Sequence, residues 1–248
     1  MEHEHQQRYY ELGKSYWWLA GKYRIIDDAV ARRFRPLRPA PTVLDLGCGP
    51  GNLLDFLAPH GEVYGSDYSS DALQFCAGRG YRRLFRADFH SLPIRDESFD
   101  LVTCIDVLEH LQDDRRAMGE LHRILRPSGT LVVSVPAFQM LWGDHDTLYG
   151  HYRRYTTGEV RAKLEGAGFR ISTLTYFEPL FFVPLWIYRN LKKVLVRDGG
   201  IEKRDDFVSL PGPINTALTH MIAAERFAIR HVRFPFGVTL LAIAEKPA

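Results

Sequence analysis

The stretch Thr42-Val43-Leu44-Asp45-Leu46-Gly47-Cys48-Gly49-Pro50-Gly51-Asn52 leaves this chain few folds to choose from. A short apolar run passes into closely spaced glycines and then into Leu53-Leu54-Asp55-Phe56-Leu57, the pattern of a buried strand turning sharply into a helix. Glycine has no Cβ and tolerates positive φ, so bare backbone can approach a ligand there, and the free N–H groups of the next helix face whatever binds. Gly-x-Gly alone also describes an ordinary tight turn, so the rest of the chain has to decide between the two.

Strand and helix patterns alternate through roughly the first 135 residues. After a helix near 52–58, Val63 to Asp67 reads as a second strand, and Ser69 with Asp71 suits the start of another helix as cap and first-turn acid. Tyr81 to Phe85 and Phe99 to Ile105 read as the third and fourth strands. The spacing of Val107, Leu111, Met118, Leu121 and Leu125 predicts a helix between Asp106 and Arg126, broken by Pro127-Ser128-Gly129 ahead of a fifth strand, Thr130 to Val135. Such alternation implies right-handed crossovers and a mostly parallel sheet with helices on both faces, an α/β Rossmann-like fold. Ligands of these sheets bind beyond the carboxyl ends of the strands, where Gly47, Asp67, Asp88 and Asp106 all fall. Asp67 lies about twenty residues past the glycines, the separation at which an acid can accept hydrogen bonds from a ribose.

Ahead of the glycines, Leu19, Ile25, Ile26, Ala29, Val30 and Phe34 are spaced as on an amphipathic helix ending before Arg35-Pro36. Trp17 and Trp18 cannot both face one core; one caps the domain, or the other walls a ligand pocket with Arg24. The expected organisation is one domain over 1–248, with a helical cap at 1–40, a cofactor-binding core at 41–176, an apolar helical insertion at 177–235 and a last strand at 236–248. The 32 basic side chains nearly balance 30 acidic ones, so no general affinity for nucleic acid is expected. Three cysteines without a Cys-x-x-Cys pair fit a reducing compartment, and Met1 to His5 has neither the basic nor the apolar region of a signal peptide. A cytoplasmic setting is the corresponding expectation.

A dinucleotide fold would prefer a third glycine where Asn52 stands. With Asp45 two residues ahead of Gly47, Val43 to Gly51 instead resembles motif I of the class I S-adenosylmethionine-dependent methyltransferases. Asp67, Asp88 and Leu125-Arg126-Pro127-Ser128-Gly129-Thr130-Leu131 match their later motifs in order, so the resemblance runs from about Tyr16 to Phe169 plus a last strand. It implies a seven-stranded sheet with an antiparallel final strand and S-adenosyl-L-methionine as cofactor. It also implies that the turn carrying Asp45, Gly47, Cys48, Gly49 and Gly51 approaches the methionine end, and that Asp67 bonds the ribose while Tyr68 packs on the adenine. Asp88 and Phe89 would then border the adenine amino edge, with Ile105 or Asp106 beside the sulfonium. Tyr-Trp-Trp near the start, Gly150-His151-Tyr152-Arg153-Arg154-Tyr155 and the late Phe-Pro-Phe-Gly-Val resemble a bacterial subgroup that acts on small molecules.

Asp106-Val107-Leu108-Glu109-His110 resembles the stretch with which quinone-ring O-methyltransferases and small-RNA 2′-O-methyltransferases help hold a divalent cation. Asp106 as N-cap and Glu109 as its capping-box partner account for the same residues, so no metal is expected. The long segment after strand five overhangs the place where an acceptor must lie, and His145 and His151 are its candidate proton acceptors, oriented by Asp144 or Asp146. Arg153 and Arg154 pairing with these acids would instead pin the loop. Thr156-Thr157-Gly158-Glu159 is a capping box for a further helix. In the insertion, Pro179 to Tyr188 leads into Arg189, Lys192, Lys193 and Arg197. This run is half a membrane span; it covers a small-molecule or lipid-linked acceptor, contacts a membrane peripherally through 179–197, or packs as a cap or dimer face. Oligomeric state has no signature in the sequence.

Overall fold

The computed structural model describes residues 2–36, 38–195 and 210–248, with side chains described over 7–36, 38–192 and 210–248. Arg197 and the charged stretch from Gly199 to Asp206 lie outside these residues. Seven strands form one sheet: β1 (Thr42–Leu46), β2 (Glu62–Asp67), β3 (Leu84–Arg86), β4 (Phe99–Ile105), β5 (Leu125–Pro136), β6 (Arg170–Phe177) and β7 (Thr239–Glu245). Their spatial order is β3-β2-β1-β4-β5-β7-β6, with β7 antiparallel to both neighbours and the β1 to β5 pairs parallel. The expected α/β Rossmann-like sheet with an antiparallel last strand is therefore present.

The strands read as apolar runs because helices cover both faces. Val43, Leu101, Val132, Leu241 and Ile243 pack on one side with Ile25, Ile26 and Val30 of α2 (Trp17–Arg33) and Ile222 and Ile229 of α9 (Gly212–Ile229). Leu44, Val102, Cys104, Leu131 and Val133 face the other side, against Met118 and Leu121 of α5 (Asp114–Ile124) and Val160 and Leu164 of α7 (Thr157–Gly166). The period-2 alternation thus divides one sheet between two cores. α2 and α9 pack closely at Gly21, where a Cβ would stand 2.6 Å from a methyl of Ile222.

Local signals behave as their chemistry requires at most ends. Ser69 accepts from Ala72 N (3.3 Å) at the start of α4 (Ser70–Gly78), and the Thr156–Glu159 capping box opens α7. The region after β4 departs from the expected single helix. Asp106 takes φ +54, a one-turn 3-10 segment covers Leu108–His110, and α5 begins only at Asp114, capped by Asp113. Asp106 therefore caps no helix, and Glu109 closes no capping box. β5 likewise starts at Leu125 and runs through Pro127-Ser128-Gly129, with Ser128 at φ +62, so these residues bend a strand and do not separate it from a helix.

The N-terminal helix α1 (Glu2–Ser15) approaches the glycine turn at Asn52, whose side-chain amide donates to Tyr9 O (3.5 Å), and α2 reaches the carboxyl end of the sheet through Lys22. The segment after β5 contains a 3-10 turn at Gln139–Leu141 and the short α6 (Asp144–Leu148). The apolar insertion forms α8 (Pro179–Leu195). Among the described residues no helix is long and apolar enough to cross a membrane.

Candidate active site

The turn after β1 is held open by backbone and carboxylate together. Gly47, Gly49 and Gly51 have φ of +82, +50 and +83. At Gly47 a Cβ would sit 2.2 Å from a Val107 methyl, whereas at Gly49 it would meet nothing within 4 Å, so Gly49 presents bare backbone to open space. Gly47 N and Cys48 N both donate to Ser66 O, tying the turn to the tip of β2. Asp67, at that tip, accepts from Gly49 N (2.8 Å) through one carboxylate oxygen and from Ser69 N (2.8 Å) through the other. Each oxygen keeps a second lone pair.

Beneath the turn Asp45 is buried, accepts from Thr103 Oγ1 (2.7 Å), and has its pKa pushed up to about 7 by burial, with the Asp67 charge adding to the rise against the Thr103 bond. Cys48 is also buried, packing with Leu54 and Cys76. The buried side chains of Asp45 and Cys48 thus shape the turn from below. Tyr68 is 67% exposed with the Arg86 guanidinium over its ring. Asp88, exposed at the end of β3, accepts from His90 N (2.9 Å), whereas the Phe89 ring turns into the core. Phe89 consequently offers backbone and no ring face to this edge.

At the end of β4, Asp106 is the centre of a second group. Lys22 of α2, only 6% exposed, donates to Asp106 Oδ2 (2.6 Å), and Ser134 Oγ donates to Oδ1 (2.8 Å). Burial alone would lift the Asp106 carboxyl; the Lys22 charge and hydrogen bond outweigh it and hold the group below its ordinary value. For Lys22 burial pulls downward, and Asp106 and Glu178 together raise it. The pair joins the helical cap to the sheet edge.

Asp106 also borders a cavity of about 160 Å³ lined by Trp18, Lys22, Glu109, His110, His145 and His151, among others. The paired tryptophans divide as expected: Trp17 is buried against Phe181 (4.9 Å between centroids) and Trp18 faces the cavity. Lys22 takes the place expected of Arg24, which does not line it. Glu109 is 1% exposed, and its Oε2 makes no hydrogen bond. Burial first, then the Asp106 charge, raises its carboxyl well above the usual range. Burial and the neighbouring His151 lower His110.

The post-β5 segment supplies both predicted histidines. His151 Nδ1 lies 2.9 Å from Asp146 Oδ1, and the same carboxylate accepts from Arg154 Nε (2.8 Å) and Gly143 N (2.8 Å). Asp146 opposes its burial with these bonds and titrates well below an ordinary carboxylate. Tyr152 N donates to Glu109 O (2.7 Å), fastening this segment to the turn after β4. Orientation of a histidine and pinning of the loop are thus served by one acid, Asp146. Arg153 pairs with Asp114 (3.1 Å) and Asp144 with Lys192 (2.6 Å). His145 stacks near Tyr149 and His151, with centroids 4.4 and 5.8 Å away.

The structure therefore sets the glycine turn, Asp67, Tyr68, Asp88, Ile105 and Asp106 along one sheet edge and brings His145 and His151 to the adjoining cavity. Sequence reasoning missed Lys22, Arg154 and Arg189 as lining residues. No local spacing marks Lys22, and Arg189 reaches back from α8 to Asp146 (3.5 Å) and Leu141 O.

Residues 44–133 match a family model described as a methyltransferase domain. Over 146 residues the chain is 35% identical to a Mycobacterium tuberculosis protein named "Probable S-adenosylmethionine-dependent methyltransferase"; the match covers 57% of this chain and 53% of that one. Thermus thermophilus demethylmenaquinone methyltransferase is 29% identical over 221 residues, covering 85% and 86% of the two chains. The chain spans between 39% and 61% of the length of several curated relatives that it matches, the mycobacterial protein among them. In fold it is similar to a chain from the complex of the Haloferax volcanii Trm112 methyltransferase activator with a methyltransferase, at TM-score 0.63, 21% identity and coverage of 98% and 94%. The sheet order is that of the class I methyltransferase fold, and residues 44–133, which lie within it, match the methyltransferase-domain model.

Proposed function

We propose that this chain transfers a methyl group from S-adenosyl-L-methionine to a small-molecule acceptor held in the cavity beside Asp106. The observation that carries the reading is the clamp of Asp67 on Gly49 N, next to a cavity that meets the same sheet edge at Asp106. The cradle fits the cofactor: Gly49 leaves space for the methionine portion, Asp67 has lone pairs for ribose hydroxyls, Tyr68 offers an exposed ring to the adenine, and Asp88 stands at the amino edge. When bound, the cofactor supplies a methyl activated on a sulfonium. The chain's part is to orient an acceptor in line, keep water out and receive a proton where the acceptor has one to lose. Trp18 and the helical cap close the cavity from above, and His145 and His151 are the groups placed to accept that proton. Demethylmenaquinone methyltransferase among the relatives supports a small-molecule acceptor.

The exposed side of α8 favours acceptors carrying an apolar tail. Leu180, Val183, Ile187 and Leu191 fall on one face and are exposed, while Arg189 on the opposite face lines the cavity. Peripheral contact of this face with a membrane and a cytoplasmic location belong to the same reading, and liposome flotation that left all the protein in solution would count against them.

Calorimetry with S-adenosylmethionine and S-adenosylhomocysteine tests the core of the proposal. Asp67→Ala should weaken both by about 10- to 100-fold, the worth of charge-assisted hydrogen bonds, and His145→Ala should lower turnover with cofactor affinity nearly intact. Retention of a nicotinamide coenzyme with indifference to both ligands would overturn the assignment.

A further inference from the structure

The last turns of α2 and α9, with β6 and β7, line a second cavity of about 20 Å³ that shares no residue with the one at Asp106. Four guanidiniums line it, those of Arg32, Arg33, Arg226 and Arg230, against one carboxylate, Asp28. Asp28 is shared between Arg230 and Arg32 (3.6 Å), and among the described residues neither Arg33 nor Arg226 has an ion-pair partner. Arg226 and Arg230 both stand over the Phe227 ring, 4.6 and 4.8 Å from its centroid, so two like charges are held close together. Cations in the last turn of a helix ordinarily answer its dipole, which accounts for basic residues at this place. It does not account for two buried donors. Thr173 is 4% exposed and its Oγ1 has no hydrogen-bond partner, and Arg230 Nε is likewise buried and unpartnered. The pairing of β6 with β7 shifts register between Ile171 and Thr173, so Ile171 and Leu174 both pack in the core under α5 and α7 while Thr173 turns to the cavity. An arginine Nε–H can only donate and a threonine hydroxyl can donate too, so the element both lack is an acceptor.

We infer that this cavity binds a phosphate group, one oxygen of which enters to accept from Thr173 Oγ1 and Arg230 Nε while the remainder lies at the mouth among the guanidiniums. Its volume exceeds the roughly 10–15 Å³ that one water needs and falls far short of a whole phosphate, so a single oxygen goes in. Planar guanidiniums match phosphate oxygens with paired, charge-assisted hydrogen bonds. A doubly charged tetrahedral anion also offsets the excess of positive charge better than a carboxylate does. Inorganic phosphate, a soluble phosphate ester and a phospholipid headgroup present this same chemistry. Because the lining comes from α2 and α9 together, occupation ties two helices that cover one face of the sheet, and binding is read as added stability. The site is independent of methyl transfer and does not rest on the cofactor.

The test is calorimetric titration of the full chain with inorganic phosphate, against chloride at matched ionic strength and with no S-adenosylmethionine present, so that failure leaves the cofactor reading standing. One equivalent should bind, and Tm should rise with phosphate concentration. Thr173→Val, nearly isosteric, and Arg230→Lys, which keeps the charge and loses the Nε donor, should each weaken binding about 10-fold, the worth of one hydrogen bond to a charged group. Arg170→Ala, outside the cavity in an exposed pair with Glu245, should bind as the parent does. Thermal melts of each variant establish that it is folded, and the parent's titration decides the matter if one is not. Flotation with phosphatidylglycerol vesicles separates the sources: attachment that free phosphate releases assigns a lipid headgroup, and any other result assigns a soluble phosphate. A parent indifferent to phosphate, as when a single water fills the cavity, or undiminished binding by both Thr173→Val and Arg230→Lys, overturns the proposal.

Discussion

Replacing Lys22 by methionine isolates the contact that joins the helical cap to the sheet edge. The substitution keeps the length of the aliphatic stem and removes the ammonium that donates to Asp106 at 2.6 Å. Removing one partner of a fully buried ion pair costs about 3–5 kcal/mol, because the other charge is left without compensation. Here the Asp106 side chain is 33% exposed and keeps its bond from Ser134, so water recovers part of the loss. A cost of about 2–3 kcal/mol follows, and for a chain of this size it lowers Tm by about 4–12 °C. The double variant Lys22→Met/Asp106→Asn should recover most of that loss, since replacing both members of a buried pair is close to neutral. The sign of the pH dependence is fixed by the two shifts. Asp106 is held below its unfolded value, so its share of the stability is present above about pH 4 and lost as pH falls through the lowered value. Lys22 is raised, so its share is present below about pH 10 and lost at higher pH. Thermal and urea unfolding of the parent, both single variants and the double variant at pH 7 gives the coupling energy. A Lys22→Met variant within about 0.5 kcal/mol of the parent, or losses that simply add in the double variant, would refute the reasoning.

Three buried acids set a second pH trend: Asp45 and Glu225 are pushed up to about 7 and Glu178 to about 8, in each case mainly by burial. Folded protein then holds protons that unfolded protein releases from about pH 4 upward, so stability should fall between about pH 4 and 8 from these groups, and Asp45→Asn should flatten the part below pH 7 in melts taken across that range. Gly47→Ala should destabilise by at least about 1–2 kcal/mol from backbone conformation alone and abolish cofactor binding, whereas Gly78→Ala, at the end of α4 with open space around its Cβ, should be neutral or slightly stabilising in the same unfolding assay.

The framework was legible because its signals are local. Apolar runs at β1 and β4, the glycines between β1 and α3 (Leu54–Leu57), and the Ser69 and Thr156 caps each report a conformation fixed within a few residues. Where the reading failed, the deciding partner lay elsewhere in the chain. Asp113 marks a helix starting at Asp114, but in sequence Asp106 offers the same cap chemistry, and only its left-handed conformation beside Ser134, 28 residues on, and Lys22, 84 residues back, removes it.

The same distinction bears on the chemistry. Asp-x-x-Glu-His can be read as a capping box only if Asp106 and Glu109 lie on one helical turn and face each other's backbone. In the folded chain Asp106 leaves that geometry for an ion pair, and Glu109 is left with a buried oxygen and two imidazoles beside it. One of those imidazoles arrives on a segment 41 residues later, oriented by an acid that Arg154 holds in place. Lys22 and Ser134 therefore shape this wall of the cavity: by engaging both oxygens of Asp106, they take it out of the helical turn in which Glu109 would have had a backbone partner.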